Sequence, residues 1–402
     1  MTFKRTLFIF LMLVLPWQTR WFSDAGMVAG YPWEQGRLSI YASWLVLLAF
    51  ILVSLWQKRP VWRRPKWFEA VVVIGVLVPA MFSSEPRASI AWLISAIFAC
   101  LLVWVIKREE IAAQEVALWF AVSLVPQALL GMGQFAFQWG WANKWLGLPS
   151  LDPNIKGTAV IASQGIRYLR AYGGFPHPNI FGGYLAMSLL WVAFAWTSYS
   201  DRVKKFLLTI MPLLSMALAF SASRSAWLAL ALGLLLSSRA TGALAKGVEG
   251  SRRLWLAVLV PFLLTLMAFP FLVRPVSVGG AVEEKSVNER LVALQQVPAA
   301  FRHAPFFGTG QGGLLPVLVQ QKLEPLLPHT VPVMILLETG LWGVIWLLVA
   351  MVFWIKRMQD KRLLIALMPL LLLDHYLWSY WPGMALFVIW AVYSEVSNEM
   401  GF

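Results

Sequence analysis

The sequence has few of the residues from which metal centres and disulfide-rich folds are built. It holds one cysteine, Cys100, among 402 residues, and its four histidines stand far apart at positions 177, 303, 329 and 375. One cysteine excludes an internal disulfide framework and any zinc or iron–sulfur site made of several thiolates. The scattered histidines do not predict a metal cage, and we expect neither a metal nor another cofactor.

Charged residues are also scarce. Only 13% of the residues are charged, 59% are hydrophobic, and the mean hydropathy is +0.69. A water-soluble surface needs far more charge, whereas a bilayer core takes about 20 apolar residues per helical crossing. The sequence therefore predicts an all-α fold, a polytopic membrane bundle of about twelve helices that forms a single domain over 1–402. The predicted spans are 6–19, 38–56, 67–84, 88–106, 111–131, 180–197, 206–221, 225–238, 254–272, 331–354, 363–379 and 383–394.

The net charge of +14 is compatible with nucleic-acid binding or with basic residues gathered on one side of a bilayer. With the N-terminus in the cytoplasm, 20 of the 33 lysine and arginine residues fall on short cytoplasmic loops, in agreement with the positive-inside rule. We therefore interpret the charge as a topology signal, with membrane lipids and no nucleic acid as partners. Both termini are predicted to be cytoplasmic. Removal of the first apolar segment as a signal peptide, with cleavage near 25–29, is the alternative.

Two long segments, about 132–179 and 273–330, are predicted to lie outside the cytoplasm. The first opens with the aromatic run QFAFQWGWANKW at 134–145, which is typical of a helix at the membrane interface. The second is a loop of almost sixty residues with short helices, either functional or a solvated periplasmic cap.

Four blocks in the second half of the chain carry a family resemblance. They are GGFPHPNIFGGYL at 173–185, SASRSAWLALALG at 221–233, NERLVALQQVPAAFRHAPFFGTGQGG at 288–313 and PHTVPVMILLETGLWG at 328–343. In order and spacing, the region from about 165 to 395 resembles the O-antigen ligase and polymerase superfamily, and is most like O-antigen ligase. One position departs from the pattern: Thr330 follows the loop histidine where the family often has asparagine.

The resemblance implies a glycosyltransferase of the bacterial inner membrane whose active site faces the periplasm. The expected donor is an undecaprenyl-pyrophosphate-linked glycan, and the acceptor is lipid A-core or another hydroxyl, as in lipopolysaccharide biosynthesis. A repeat-unit polymerase and a protein O-oligosaccharyltransferase are alternatives within the superfamily. A flippase or exporter of polyprenyl-linked glycans is the alternative of another class.

The expected chemistry needs cationic side chains and a base. Departure of a lipid pyrophosphate requires stabilisation of negative charge, which arginine forks supply, and a histidine can accept the proton of the acceptor hydroxyl. The resemblance implies Arg224 and Arg290 as pyrophosphate ligands and His329 as the base. Arg167 and Arg170 are further substrate-binding candidates.

Other polar residues are weaker candidates for the site. Asp374 and His375 form a rival catalytic pair, and Gln311 is a possible sugar contact in a turn-rich GTGQGG segment. Glu338 lies nine residues into a predicted helix, where a carboxylate is costly unless it is paired, so we interpret it as an internal anchor. Asn179 is placed to cap the sixth predicted helix.

Overall fold

The structure, a computed structural model, describes residues 3–23, 26–57, 67–155, 157–163, 166–241, 249–272, 281–358 and 361–396. Some parts of the sequence interpretation lie outside these residues. They are the two chain ends at 1–2 and 397–402, the basic loop segments at 58–66 and 242–248, the beginning of the large loop at 273–280 and part of the alternative cleavage region near 25–29.

The fold is mostly helical, and each of the twelve predicted apolar spans overlaps a helix. The prediction of a single helix over 363–379 is wrong, because this span is divided at 374–375 into two helices, Lys361–Leu373 and Tyr376–Ser379. The helices are α1 Phe3–Val14, α2 Ala42–Gln57, α3 Trp67–Met81, α4 Pro86–Arg108, α5 Ala113–Phe137, α6 Pro178–Phe194, α7 Asp201–Ser221, α8 Arg224–Thr241, α9 Glu249–Leu272, α10 Ala281–Gln295, α11 Val297–His303, α12 Leu314–Gln320, α13 Val331–Arg357, α14 Lys361–Leu373, α15 Tyr376–Ser379 and α16 Trp381–Val396. Three short helices, α10 to α12, occupy the large loop, in agreement with the sequence interpretation.

Four helices among the described residues are long and apolar enough to cross a bilayer: α4, α5, α7 and α13. Shorter apolar helices include α2, α6, α8 and α16. The lengths and compositions agree with a membrane protein. The number of about twelve crossings stays a prediction.

The centre of the bundle is α6, whose residues from Pro178 to Val192 are all buried except Asn179. It packs against α5, α7 and α8. Gly182 and Gly183 make this close packing possible, because a Cβ on Gly182 would collide with Ser223 and one on Gly183 with the hydroxyl of Tyr376. The two glycines thus bring the α7–α8 turn and α15 next to the first turns of α6.

Helix α13 is broken at Gly340, which has a φ of 63° and a ψ of −162°. The segment between α11 and α12 supplies the missing backbone hydrogen bonds. The amides of Leu341 and Trp342 donate to the carbonyl oxygens of residues 305 and 306, at 2.9 and 3.0 Å. In the other direction, the amides of Thr309 and Gly310 donate to the carbonyl oxygens of residues 337 and 338, at 3.0 and 2.9 Å. Backbone that leaves helical geometry within a membrane must find partners inside the protein. The GTGQGG segment therefore docks into the break in α13.

Short antiparallel strand pairs lie in the connections. Strand β1 Arg20–Phe22 pairs with β4 Ser39–Tyr41, β2 Met27–Val28 with β3 Tyr31–Pro32, and β5 Val160–Ser163 with β6 Ile166–Leu169.

The predicted interfacial helix at 134–145 is wrong. Helix α5 ends at Phe137, Gln138 takes a left-handed conformation with a φ of 54°, and isolated bridges follow, from Gly140 to Leu151 and from 143 to 148. The left-handed residue Gln138 ends the helix as its C-cap. Trp139, Trp141 and Trp145 nevertheless remain exposed.

Candidate active site

A polar cluster forms at one end of the bundle, where α6 begins, α7 turns into α8, α13 begins and α14 ends. Its hub is Asp374, the residue that directly follows α14. The Asp374 side chain is buried, and its two oxygens accept hydrogen bonds from Asn179 Nδ2 (2.7 Å) and Ser225 Oγ (2.6 Å). Both partners are neutral donors, and together they hold the carboxyl group in place.

Asn179 connects this carboxylate to Arg170. Its Oδ1 accepts a hydrogen bond of 2.6 Å from Arg170 Nη2, and Arg170 Nε donates to the carbonyl oxygen of Ser221 (2.8 Å). The Arg170 guanidinium is therefore fixed along two edges by α6 and by the end of α7. Burial lowers the pKa of Arg170 to about 10. The nearby Tyr172 and Asp374 act to raise this pKa, whereas Arg224 and Arg290 lower it further. At neutral pH Arg170 remains a cation.

Arg224 and Arg290 complete a group of three arginines. Arg224 begins α8 two residues after Ala222, which has a φ of 49°, and its side chain is exposed. Arg290 lies on α10 in the large loop, and its buried Nε has no hydrogen-bond partner among the described residues. Both lie close enough to Arg170 to repel its charge. Three cations gathered around one carboxylate suit an anionic ligand.

Two histidines lie beside the arginines. The rings of His329 and His375 meet edge to face with centroids 5.6 Å apart, and His375 Nδ1 is 2.9 Å from Ser379 Oγ. His329 stands two residues before α13, and Thr330 is the N-cap of that helix. Arg170, Arg290, His329 and His375 all lie close enough to His177 to interact with it electrostatically.

The position of His329 determines its charge. Burial, with a smaller contribution from the nearby Arg290, lowers the pKa of His329 to about 4. The imidazole is therefore neutral at physiological pH and has a lone pair available to accept a proton. A bound anion at the arginines would raise this pKa, because an opposite charge favours the protonated form.

Two of the predicted substrate-binding residues lie apart from the cluster. Arg167 donates to backbone carbonyls of its own loop, at residues 153 and 158. Gln311 is fully buried, and its Nε2 donates to the carbonyl oxygen of Val76 in α3 (2.8 Å). The structure thus brings together Arg170, Arg224, Arg290, His329, Asp374 and His375.

Glu338 occupies the buried interior near the break in α13. Its Oε2 accepts a hydrogen bond of 2.6 Å from Trp378 Nε1, which agrees with its interpretation as an internal anchor. Over the described residues, no three histidine, cysteine, aspartate or glutamate side chains are grouped so that they would hold a metal ion.

Comparison with known proteins finds a family likeness for part of the chain. Residues 207–348 match the family model described as O-antigen ligase. This segment, about a third of the chain, is therefore similar to O-antigen ligases. No curated protein matches the chain. The matched segment contains Arg224, Arg290 and His329, while Arg170 and Asp374 lie outside the match, on opposite sides of it.

Sequence reasoning missed the residues that join the cluster. The predicted role of Asn179 as the cap of α6 is wrong: His177 is the N-cap, and its Nδ1 accepts from the Asn179 backbone amide (3.1 Å). This arrangement leaves the Asn179 side chain to join Arg170 and Asp374. Ser225, directly after Arg224, was also overlooked. The only signal in the sequence is that both polar residues lie within blocks that carry the resemblance, at 173–185 and 221–233.

Proposed function

We propose that the protein is a membrane-embedded glycosyltransferase that moves a glycan from undecaprenyl pyrophosphate to an acceptor hydroxyl on the periplasmic side of the bacterial inner membrane. The observation that carries the proposal is the convergence of Arg170, Arg224 and Arg290 beside a neutral His329. The similarity of residues 207–348 to the O-antigen ligase family supports a lipid-linked glycan as the donor.

The arginines supply the charge that the leaving group needs. The acceptor oxygen bonds to the anomeric carbon, the bond from that carbon to the pyrophosphate oxygen breaks, and the pyrophosphate leaves with the electron pair. Guanidinium groups match phosphate oxygens with paired N–H donors. The unpaired Nε of Arg290 is one donor available for this contact. We infer that Arg170 provides a fixed charge and that Arg224 and Arg290 bind the phosphates without a metal.

His329 takes the proton of the acceptor hydroxyl. Its low pKa keeps it deprotonated before substrate binds, and the arriving pyrophosphate strengthens it as a base by favouring the imidazolium. Asp374 and His375 lie behind His329 in the cluster. We assign Asp374 to positioning Arg170 through Asn179, and His375 to the wall of the site against His329.

Ligation of O-antigen to lipid A-core is the reaction we favour. Polymerisation of repeat units and transfer to a protein hydroxyl use the same donor chemistry and differ only in the acceptor. Arg167, which lies apart from the cluster, is retained as a contact for the glycan beyond the reacting sugar. Gln311 is not retained, because its side chain is fully buried against α3.

The test uses the purified protein in lipid vesicles with an undecaprenyl-pyrophosphate-linked glycan. Lipid A-core, a second donor molecule and an acceptor peptide are offered separately, and the released polyprenyl pyrophosphate is measured with and without EDTA. The proposal predicts release that depends on lipid A-core and persists in EDTA. Release that requires magnesium or manganese would contradict the arginine mechanism. Movement of the intact glycolipid across the bilayer without release would instead identify a flippase.

A further inference from the structure

Arg170 lies at the start of a stretch of chain that has no helix or strand and is largely buried. Strand β6 ends at Leu169, α6 begins at Pro178, and residues 171–175 between them are all buried. Backbone amide and carbonyl groups that are buried away from water need hydrogen-bond partners. Since no strand or helix supplies those partners over 170–175, other parts of the protein must do so.

The side chain of Gln134, near the end of α5, is one such partner. Its Oε1 accepts a hydrogen bond from the backbone amide of Tyr172 (3.0 Å), and its Nε2 donates to the carbonyl oxygen of Gly173 (2.9 Å). A glutamine amide carries both a donor and an acceptor, so this one side chain bonds to the chain as a neighbouring strand would. Gln134 is itself buried, which keeps water from competing for either bond.

Two further glutamines bond to the same stretch, on either side of Gln134. Gln138, the C-cap of α5, accepts through its Oε1 from the backbone amide of Leu169 (2.7 Å). Gln127, within α5, accepts through its Oε1 from the backbone amide of Gly174 (2.5 Å). Three glutamines of one helix thus hold the backbone from 169 to 174.

The spacing of these residues lets one side of α5 lie against the stretch. Gln127, Gly131 and Gln134 follow one another at intervals of four and three positions, which places them on the same face of the helix. Gly131 allows the close approach, because a Cβ at this position would lie 3.1 Å from the backbone nitrogen of Gly173. A larger residue at 131 would push the stretch away from the glutamines.

Helix α7 holds the same stretch from its other side. The backbone amide of Ala171 donates to the carbonyl oxygen of Phe220 (3.0 Å), and Arg170 Nε donates to that of Ser221 (2.8 Å). The backbone that carries Arg170 is therefore fixed between α5 and the end of α7, and a shift of this backbone would move the guanidinium with it. The glutamines are neutral, so they fix the backbone without reducing the positive charge that the arginines bring to the site.

We infer that Gln134, together with Gln127 and Gln138, is a positioning residue for Arg170 and thereby sets how tightly the pyrophosphate of the donor is bound. The inference rests on the proposed function, because it takes the Arg170 cation to act on the pyrophosphate. The glutamines act through the backbone at 169–174 and do not touch the substrate. A purely structural role would change the amount of folded protein, whereas a positioning role changes the donor affinity of each folded molecule.

The test removes the hydrogen bonds of Gln134 while filling the space of its side chain. Methionine is unbranched and adaptable, so Gln134→Met occupies the same volume and can form neither backbone hydrogen bond. The matched control is Gln114→Met in the first turn of the same helix, where the side-chain Oε1 has no hydrogen-bond partner among the described residues. Gln138→Met, which removes the bond to Leu169, serves as a second variant if Gln134→Met does not fold.

Equilibrium binding of the undecaprenyl-pyrophosphate-linked glycan and steady-state transfer are measured on folded, full-length protein. Each glutamine variant is made both in the wild type and in an Arg170→Met background. We expect Gln134→Met to raise the Kd of the donor at least about tenfold, which corresponds to about 1.4 kcal/mol, and to leave the KM for lipid A-core unchanged. In the Arg170→Met background the same substitution should change the donor Kd less than about twofold, because two residues that act through one another are not additive. Gln114→Met should match the wild type.

Three results are decisive. An unchanged donor Kd in folded Gln134→Met would overturn the inference while leaving the proposed function intact. Equal rises of the donor Kd in both backgrounds would also overturn it, because Gln134 would then act independently of Arg170. If the wild type bound the donor but released no polyprenyl pyrophosphate, the proposed function would be refuted, and a rise of the donor Kd that depends on Arg170 would still support the positioning role.

Discussion

The hydrogen bonds of Asn179 provide the most quantitative test of the cluster. Its amide accepts from Arg170 (2.6 Å) and donates to Asp374 (2.7 Å), and a hydrogen bond to a charged group contributes about 1.5–3 kcal/mol. Asn179→Ala removes both. We expect the free energy of unfolding to fall by about 3–6 kcal/mol, with the lower part of this range favoured because Arg170 keeps its bond to Ser221.

Activity should fall as well, because Arg170 loses one of its two anchors. If about 1.5–3 kcal/mol of transition-state stabilisation depends on the orientation of Arg170, kcat/KM should decrease about 10- to 100-fold. Equilibrium unfolding in detergent and steady-state transfer assays measure the two effects separately. Asn154→Ala, at an exposed loop position, is the control. If Asn179→Ala changed the free energy of unfolding by less than about 0.5 kcal/mol and transferred glycan at the wild-type rate, the role of Asn179 would be refuted.

Three other predictions concern topology, phosphate binding and pH. In a cysteine-free background, a cysteine that replaces the exposed His303 should react with a membrane-impermeant reagent added from outside. A cysteine that replaces the exposed Arg202 should react only when the reagent is on the cytoplasmic side. The reverse labelling pattern would refute the predicted orientation. Arg290→Lys should weaken donor binding at least about tenfold, since an ammonium cannot make a two-pronged phosphate contact. The control Arg302→Lys, on the neighbouring helix, should bind the donor normally. Equal donor affinities of the two variants would remove Arg290 from the site. Because burial lowers the pKa of His329 to about 4, kcat/KM should stay level from pH 7 to about 5 and fall only near pH 4. A decline centred near about 6.5, the pKa of an unperturbed histidine, would contradict the assignment of His329 as the base.

Most helices could be predicted from the sequence because burial in a bilayer demands long apolar segments, and every predicted span overlaps a helix. The interruption between α14 and α15 was missed, because the apolar residues on both sides of it read as one continuous span. The turn that presents Arg224 was also predictable, since polar residues separate two apolar runs at 222–225. Local composition determines such features, so a single sequence is enough to locate them.

The contacts that assemble the site were not predictable in this way. Asn179 and Asp374 are 195 positions apart, and Ser225 and Asp374 are 149 apart, so no local pattern relates them. The break at Gly340 was missed for a similar reason, because the residues that stabilise it, at 305–310, precede Gly340 by 30 to 35 positions. The error at 134–145 came from aromatic composition, which indicates an interface without specifying backbone conformation.

The most direct measurement compares His329→Ala with His303→Ala, whose histidine is exposed in the large loop. Donor binding and glycan transfer are measured on the same folded preparations. A general base contributes about 10²–10⁴-fold to the rate, and the imidazole acts mainly when the proton moves. We predict that His329→Ala binds the lipid-linked donor normally and loses transfer by at least about 100-fold, while His303→Ala transfers normally. A loss below about tenfold in folded His329→Ala would contradict the mechanism.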